Sequence, residues 1–522
     1  MISRRKYLSD MSVLLAGSLS LPSFFACSDR SDALASVAGS LKILNQSPSI
    51  HVPYNFNGLS YELAQLMDPE FFSASNPELV RLFKILSPKG VLRLGGNSSE
   101  SCWLKVDPST TAPELTIPDM DVSEHWMPRE LFMIPPESID SLAGFLDATG
   151  WQLIYGLNFG HSSPERLARE AQFIAERVHD HLLYFQVGNE PDFYPASNNR
   201  TRPSGWGFDD YLKEWTACAE AISNLVPDAK FGGPDVGASS DWIVRFIPAA
   251  SGKLGDRLVA VTGHYYASGP PDDPRVSIEN LLKTNPEIGQ QAKRISDLAS
   301  ANNLYYRMTE GNSCYRGGKP GMSDTLASAL WGGDYMLSLA TAGCGGVNLH
   351  GGSRNILRAA LGNHLPGELV ADENSDTKGG YYTPIAGEVE YGFKARPLFY
   401  GMMLANQFAD SEMKGVSLAA SNINVTAYAG KVKNEWRIAI FNKDLSKELD
   451  LTVALPDPFK KVNVWRLTGP SIDATGNVSL ANAVIGDDLS WVPGSEEKCN
   501  VKNNQCHLAI PGSSAALLFL KK

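Results

Sequence analysis

The sequence predicts a (β/α)8 TIM barrel followed by an all-β sandwich. Three observations carry this expectation. Eight short strand-like runs alternate with helical patterns across residues 51–405, the order a parallel barrel requires. From about residue 410 the texture changes to short alternating strands separated by turn residues: VTAYAG, EWRIAIFN, LDLTVAL, KVNVWRL and AALLFL. Two of the barrel runs, LYFQVGNEPD (Leu183–Asp192) and LYYRMTEGN (Leu304–Asn312), end abruptly in a carboxylate, Glu190 and Glu310.

Taken in order, Ser3-Arg4-Arg5-Lys6-Tyr7-Leu8 precedes the mainly apolar stretch Met11–Ala26, too short to span a membrane comfortably. The paired arginines resemble a twin-arginine export signal, and Phe24-Phe25-Ala26-Cys27 resembles a loose bacterial lipobox. Residues 1–27 therefore read as an export signal with Cys27 as a lipidation site, and 28–40 as a small, polar tether. The expected location is the periplasm or outer surface of a bacterium, with that anchor as the sole membrane contact. Residues 41–50 read as a strand that could join the C-terminal sandwich, residues 406–522.

The barrel strands are Asn57–Glu62, Gly90–Gly96, Gln152–Asn158, the Glu190 stretch, Lys230–Asp235, Leu258–Ala267, the Glu310 stretch and Gly345–His350. Helical spacing marks Pro77–Leu86, Pro136–Thr149, Pro164–His179, Phe208–Leu225, Ile288–Ala301 and Ser323–Ala342. Trp103–Glu130 is too long for an ordinary connection and follows a strand's C-terminal end, so it should lie over the active face.

The chain has 522 residues, 43% hydrophobic and 20% charged, with a formal net charge of −11. That balance argues against nucleic acid or a densely sulfated polymer as the main partner. Outside Cys27 the six cysteines are scattered, although Cys499 and Cys506 are close enough in sequence to pair. No Cys/His spacing reads as a metal site, and no cofactor is called for.

Two carboxyls at the mouth of a barrel suit acid/base or nucleophilic chemistry. Strands four and seven lie on opposite sides of the mouth, so Glu190 and Glu310 can face each other across a substrate. Cleaving a glycosidic bond needs one carboxyl protonated and the other ionised.

Asn189-Glu190-Pro191, with Glu310 at the end of strand seven, resembles the large clan A of retaining (β/α)8 glycosidases. The resemblance implies that Glu190 is the acid/base, Glu310 the nucleophile and Asn189 a ligand of the sugar 2-hydroxyl. Leu59-Ser60-Tyr61-Glu62, Leu92-Arg93-Leu94-Gly95-Gly96-Asn97, His264-Tyr265-Tyr266, Tyr315-Arg316-Gly317-Gly318 and Gly380-Tyr381-Tyr382 narrow it. Together these motifs resemble the heparanase and β-glucuronidase family, glycoside hydrolase family 79, over residues 41–522. The resemblance implies substrate-binding roles for Glu62, Asn97, Tyr265, Tyr266, Tyr315, Gly317, Gly318, Gly380 and Tyr382, the last five near the uronic acid. Arg316 interrupts the family's Tyr-Gly-Gly pattern. His264 reads as a core or supporting histidine.

The function expected is a retaining, exo-acting β-glucuronidase that removes terminal β-linked glucuronic acid from a glycan. An endo-acting heparanase- or hyaluronidase-like enzyme and a non-catalytic glycan-binding surface lipoprotein are the alternatives.

Overall fold

The computed structural model describes residues 35–115, 131–196, 201–360 and 379–521. Cys27, the export signal and residues 116–130 of the long insertion lie outside the described residues.

Eight parallel strands close a barrel: Asn57–Glu62, Val91–Gly95, Gln152–Leu157, Leu182–Val187, Phe231–Val236, Leu258–Tyr266, Tyr305–Asn312 and Gly346–Gly351. These are called strands one to eight below. Each is buried over most of its length, as expected of parallel strands covered by helices outside and filled with side chains inside.

The helices start where the residues dictate. Asn76 accepts the Leu79 N–H to cap Pro77–Leu86, and Ser163 accepts the Arg166 N–H to cap Pro164–Val178. Both bury one apolar stripe: Leu79, Leu82, Phe83 and Leu86 in the first, Leu167, Ala171, Ile174 and Val178 in the second. Ser240–Leu254, after strand five, is a helix absent from the periodic readings above. Leu326–Thr341 is apolar nearly all round because it is buried on nearly all sides. It packs against Pro397–Asn406 and against sandwich strand Val425–Val432. Among the described residues, no helix is long and apolar enough to cross a membrane.

The sandwich has a five-stranded and an eight-stranded sheet. Ala35–Ile43 belongs to it, pairing parallel with Lys447–Ala454 and antiparallel with Val416–Ala419. Residues 35–40, read above as tether, are therefore strand. Their small side chains hide an alternation that the partner strands complete at Leu41 and Ile43, both buried. Ile50–Val52 pairs with Ser411–Lys414, so the chain enters the barrel directly from the sandwich. One apolar core runs from the barrel helices into the facing sheet, through Leu330, Phe399, Phe441 and Leu517.

Cys499 and Cys506 are buried free thiols, not a disulfide. Cys499 lies on a strand of the eight-stranded sheet and Cys506 on one of the five-stranded sheet. The Cys499 thiol donates to the His507 carbonyl at 3.2 Å.

Candidate active site

The C-terminal end of strand four turns sharply. Glu190 takes the left-handed conformation with φ 49°, a strained setting for a non-glycine residue that surrounding contacts must hold. They do so from several directions. The Glu190 N–H donates to the Asp235 carbonyl at 2.9 Å. Pro191 opens a single 3-10 turn, Pro191–Phe193. The Asp192 carboxylate accepts the N–H groups of Gly237, Ala238 and Ser239, each at 2.9 Å, tying this turn to the loop after strand five. The Asn189 N–H donates to Glu100 Oε1 at 2.7 Å.

Strand seven places Glu310 beside His264 of strand six, across a register shift between Gly263 and His264. One oxygen of each glutamate and a ring nitrogen of His264 lie within 4.8 Å of one another. Glu310 Oε1 accepts from the Tyr266 hydroxyl at 2.7 Å and Oε2 from Arg93 Nη1 at 2.6 Å. His264 Nδ1 lies 2.9 Å from Glu190 Oε1, and its Nε2 lies 3.2 Å from Asp235 Oδ1.

The electrostatics separate the two glutamates. Burial raises the Glu190 carboxyl above its ordinary range; His264 opposes this, while Glu310 and Asp192 add to it. Burial would raise Glu310 too, but His350, His264 and Arg93, with the Tyr266 hydrogen bond, bring it down to about 2. Burial would lower His264, yet Asp235 and Glu310, with hydrogen bonds to Asp235 and Glu190, lift it to about 10. At neutral pH His264 is charged and Glu310 ionised, while the Glu190 carboxyl is pushed the opposite way, towards holding its proton. Among the described residues Glu190, His264 and Glu310 are the group whose atoms could surround a metal ion.

Most of the residues expected from the sequence gather here. Glu62, buried, accepts both the N–H and the hydroxyl of Ser98 on Oε2, and its Oε1 lies 3.4 Å from His350 Nε2. Gly96, at φ 71°, leaves room for it, since an added Cβ would fall 2.3 Å from Glu62 Oε2. Asn97 Oδ1 accepts from Asn189 Nδ2 at 3.3 Å. Tyr315 and Tyr382 flank Tyr266, with ring centroids 6.2 and 6.4 Å away. The Tyr382 N–H donates to the Gly317 carbonyl at 3.2 Å, and Gly318, at φ 86°, would bring a Cβ to 2.6 Å from Tyr382 N. Arg396 donates to the Gly380 carbonyl at 2.6 Å, steadying that turn.

Tyr265 is the exception. It stacks on Tyr335 of the helix after strand seven, at 5.4 Å between centroids, and points away from the carboxyls. His264 and Tyr266 face inward, so alternation along the strand sends Tyr265 outward.

Four contributors escaped the sequence reading. Arg93, fully buried, binds Glu310, Asp235, Asn189, Gln186 and Ser60. Asp235, held well below the usual carboxylate range against burial by His264 and Arg93, anchors Arg93 and His264. His350 bonds Ser60 and lies 3.7 Å from Glu310 Oε2. Glu100 holds the Asn189 main chain. A charged side chain at an inward position of a buried strand, as at Arg93, was the available signal. A separate cavity of about 560 Å³ opens between residues 393–400 and the sandwich segment 475–489, and it is lined by none of these side chains.

Fold and site together define a class, the (β/α)8 glycoside hydrolases with an appended β-sandwich. Within it, the chain is similar to curated β-glucuronidases, in keeping with the resemblance drawn from its motifs. It is 26% identical over 372 residues to a β-glucuronidase of Aspergillus niger, covering 66% of each chain. It is 25% identical over 308 residues to one of Neurospora crassa, covering 53% of this chain and 52% of the relative. The matches thus span 66% and 52% of those relatives' lengths. No family model matches the chain. Among solved structures, a 4-O-α-L-rhamnosyl-β-D-glucuronidase from Fusarium oxysporum aligns with a TM-score of 0.70 at 17% identity, over 92% of this chain and all of the other. The GH51 arabinofuranosidase from Xanthomonas axonopodis pv. citri aligns at 0.64 and 15% identity, over 93% of this chain and all of the other.

Proposed function

We propose that the protein is a retaining, exo-acting β-glucuronidase that removes terminal β-linked glucuronic acid from a glycan. The observation that carries this is the pair Glu190 and Glu310, close together and with their carboxyl pKa values pushed in opposite directions. Retention needs carboxyls about 5–5.5 Å apart, and inversion needs about 6.5–9.5 Å to admit a water. Oxygens within 4.8 Å favour retention.

The steps follow from these opposed shifts. The Glu310 carboxylate attacks C1 while Glu190 gives its proton to the leaving oxygen, so the glycosidic bond breaks as the glycosyl-enzyme ester forms. Glu190, now ionised, takes a proton from water. That water attacks C1, expels Glu310 and releases the sugar with Glu190 reprotonated. Arg93 and Tyr266 keep Glu310 anionic and aimed. Asn189, held by Arg93 and Asn97, binds the 2-hydroxyl in this reading. Tyr315, Gly317, Gly318, Gly380 and Tyr382 offer hydroxyl and N–H donors for a carboxylate beside the Glu310 side of the site. The substrate class is supported by the names of the curated relatives. We also read the chain as exported and lipid-anchored at Cys27, in which case Cys27→Ala would release it from membranes.

The test is hydrolysis of an aryl β-D-glucuronide, with Glu190→Gln and Glu310→Gln alongside and the first-formed anomer followed by NMR. A β-anomer product and loss of activity in both variants are expected. Inactivity across a β-glucuronide panel would sink the reading, and internal cleavage of a polymer would replace exo with endo action.

A further inference from the structure

Glu100 takes no part in the double displacement, yet it is buried among the main chains that shape the site. It lies in the 3-10 turn Asn97–Ser101 that follows strand two and is 1% exposed. Its Oε1 accepts the Asn189 N–H at 2.7 Å, and its Oε2 accepts the Gly160 N–H. One carboxyl therefore joins the loop after strand three to the turn that ends strand four. The groups facing it are the Tyr194 hydroxyl, from the turn after Glu190, the Arg202 guanidinium, and the Cys102 thiol two residues along its own segment.

We propose that Glu100 is a positioning residue for the acid/base: it clamps the main chain of Asn189 and so holds Glu190 in its strained turn, aimed across the site at Glu310. An ionised carboxylate has two acceptor oxygens and no donor, so it can serve two backbone N–H groups at once. An amide can serve only one without setting donor against donor. Asn189 is gripped from both sides, its main chain by Glu100 and its side-chain oxygen by Arg93 at 2.8 Å. Glu190 follows directly at φ 49°. Burial lifts the Glu100 carboxyl to about 7, against the nearby Tyr194 hydroxyl, the Asn189 and Gly160 hydrogen bonds and the attraction of Arg202. The clamp is charge-assisted above that pH and weaker below it, when the carboxyl is neutral.

This inference rests on the roles given to Glu190 and Glu310 above, so its test has one arm that needs no turnover. Wild type, Glu100→Gln and Glu100→Asp are compared as full-length proteins. Steady-state rates on an aryl β-D-glucuronide are measured from about pH 5 to 9, and amide hydrogen exchange is measured at Asn189 and Glu190.

In Glu100→Gln, kcat should fall about 100-fold, the scale of a small misplacement of a catalytic group, with KM nearly unchanged. The ionisation near pH 7 should vanish from its kcat/KM profile, and the Asn189 amide should exchange faster. Glu100→Asp keeps the charge on a shorter arm. It should retain the ionisation and recover part of kcat, and it serves as the informative variant if the glutamine protein does not fold. A wild-type rate and pH profile in Glu100→Gln would overturn the proposal. So would unchanged Asn189 exchange, even if the wild type hydrolyses no glucuronide.

Discussion

Replacing His264 with Gln removes the buried cation between Glu190 and Asp235. The histidine side chain is fully enclosed, with ring nitrogens 2.9 and 3.2 Å from the two carboxylates. Its pKa rises from 6.5 to about 10 on folding. At 1.36 kcal/mol for each pKa unit, that corresponds to about 5 kcal/mol of folding free energy. Breaking a buried pair by deleting one partner typically costs about 3–5 kcal/mol, so two independent routes agree. The sign follows from the direction. A histidine whose folded pKa is raised contributes fully below pH 6.5, and the contribution disappears as pH climbs through 10. Urea unfolding of wild type and His264→Gln at intervals between pH 6 and 10 measures it. The gap between the two proteins should be largest at pH 6 and should close towards pH 10. Activity supplies a second readout. His264 opposes the rise of the Glu190 carboxyl, so without it Glu190 holds its proton to higher pH. The alkaline limb of kcat/KM should shift upward in the variant. A gap under about 1 kcal/mol that does not vary with pH would refute the assignment of His264 as a buried cation.

The same reasoning reaches other positions. Tyr266→Phe removes the hydroxyl that donates to Glu310 at 2.7 Å, so the Glu310 pKa should rise and the acid limb of the pH–rate profile should move upward. Gly318→Ala would drive a Cβ to 2.6 Å from Tyr382 N. KM for an aryl β-glucuronide should rise about tenfold, and stability should drop by more than about 1 kcal/mol, because alanine is strained at this positive φ against a backbone atom. Asp334→Ala strands Lys443, a buried sandwich lysine whose Nζ lies 2.5 Å from Asp334 Oδ2 on the helix after strand seven. Calorimetry should show a loss of about 3–5 kcal/mol, with kcat of the folded fraction unchanged.

Strand and helix periodicity made the barrel legible from local pattern alone, because each element must bury a particular face whatever its neighbours are. Asn57–Glu62, Phe208–Leu225 and Glu435–Asn442 are found where that pattern puts them. Strand ends flanked by glycine and proline also marked Glu190 and Glu310, since a carboxylate there has few structural reasons to exist. Side-chain direction was less legible. His264, Tyr265 and Tyr266 form one motif in sequence, but the pleat turns Tyr265 to the helices and leaves its neighbours in the barrel mouth.

The sequence by itself determined the element order, the two-part architecture and the two glutamates that face one another. The tertiary structure alone decided how their protons are distributed. Arg93, Asp235, His264 and Glu310 come from strands two, five, six and seven, far apart along the chain, and meet as buried side chains. Electrostatic energies depend on distances and burial, which no local pattern encodes. For that reason the carboxyls of Glu190 and Glu310, both plain carboxylates at strand ends in the sequence, are pushed apart in pKa only once the barrel closes around them.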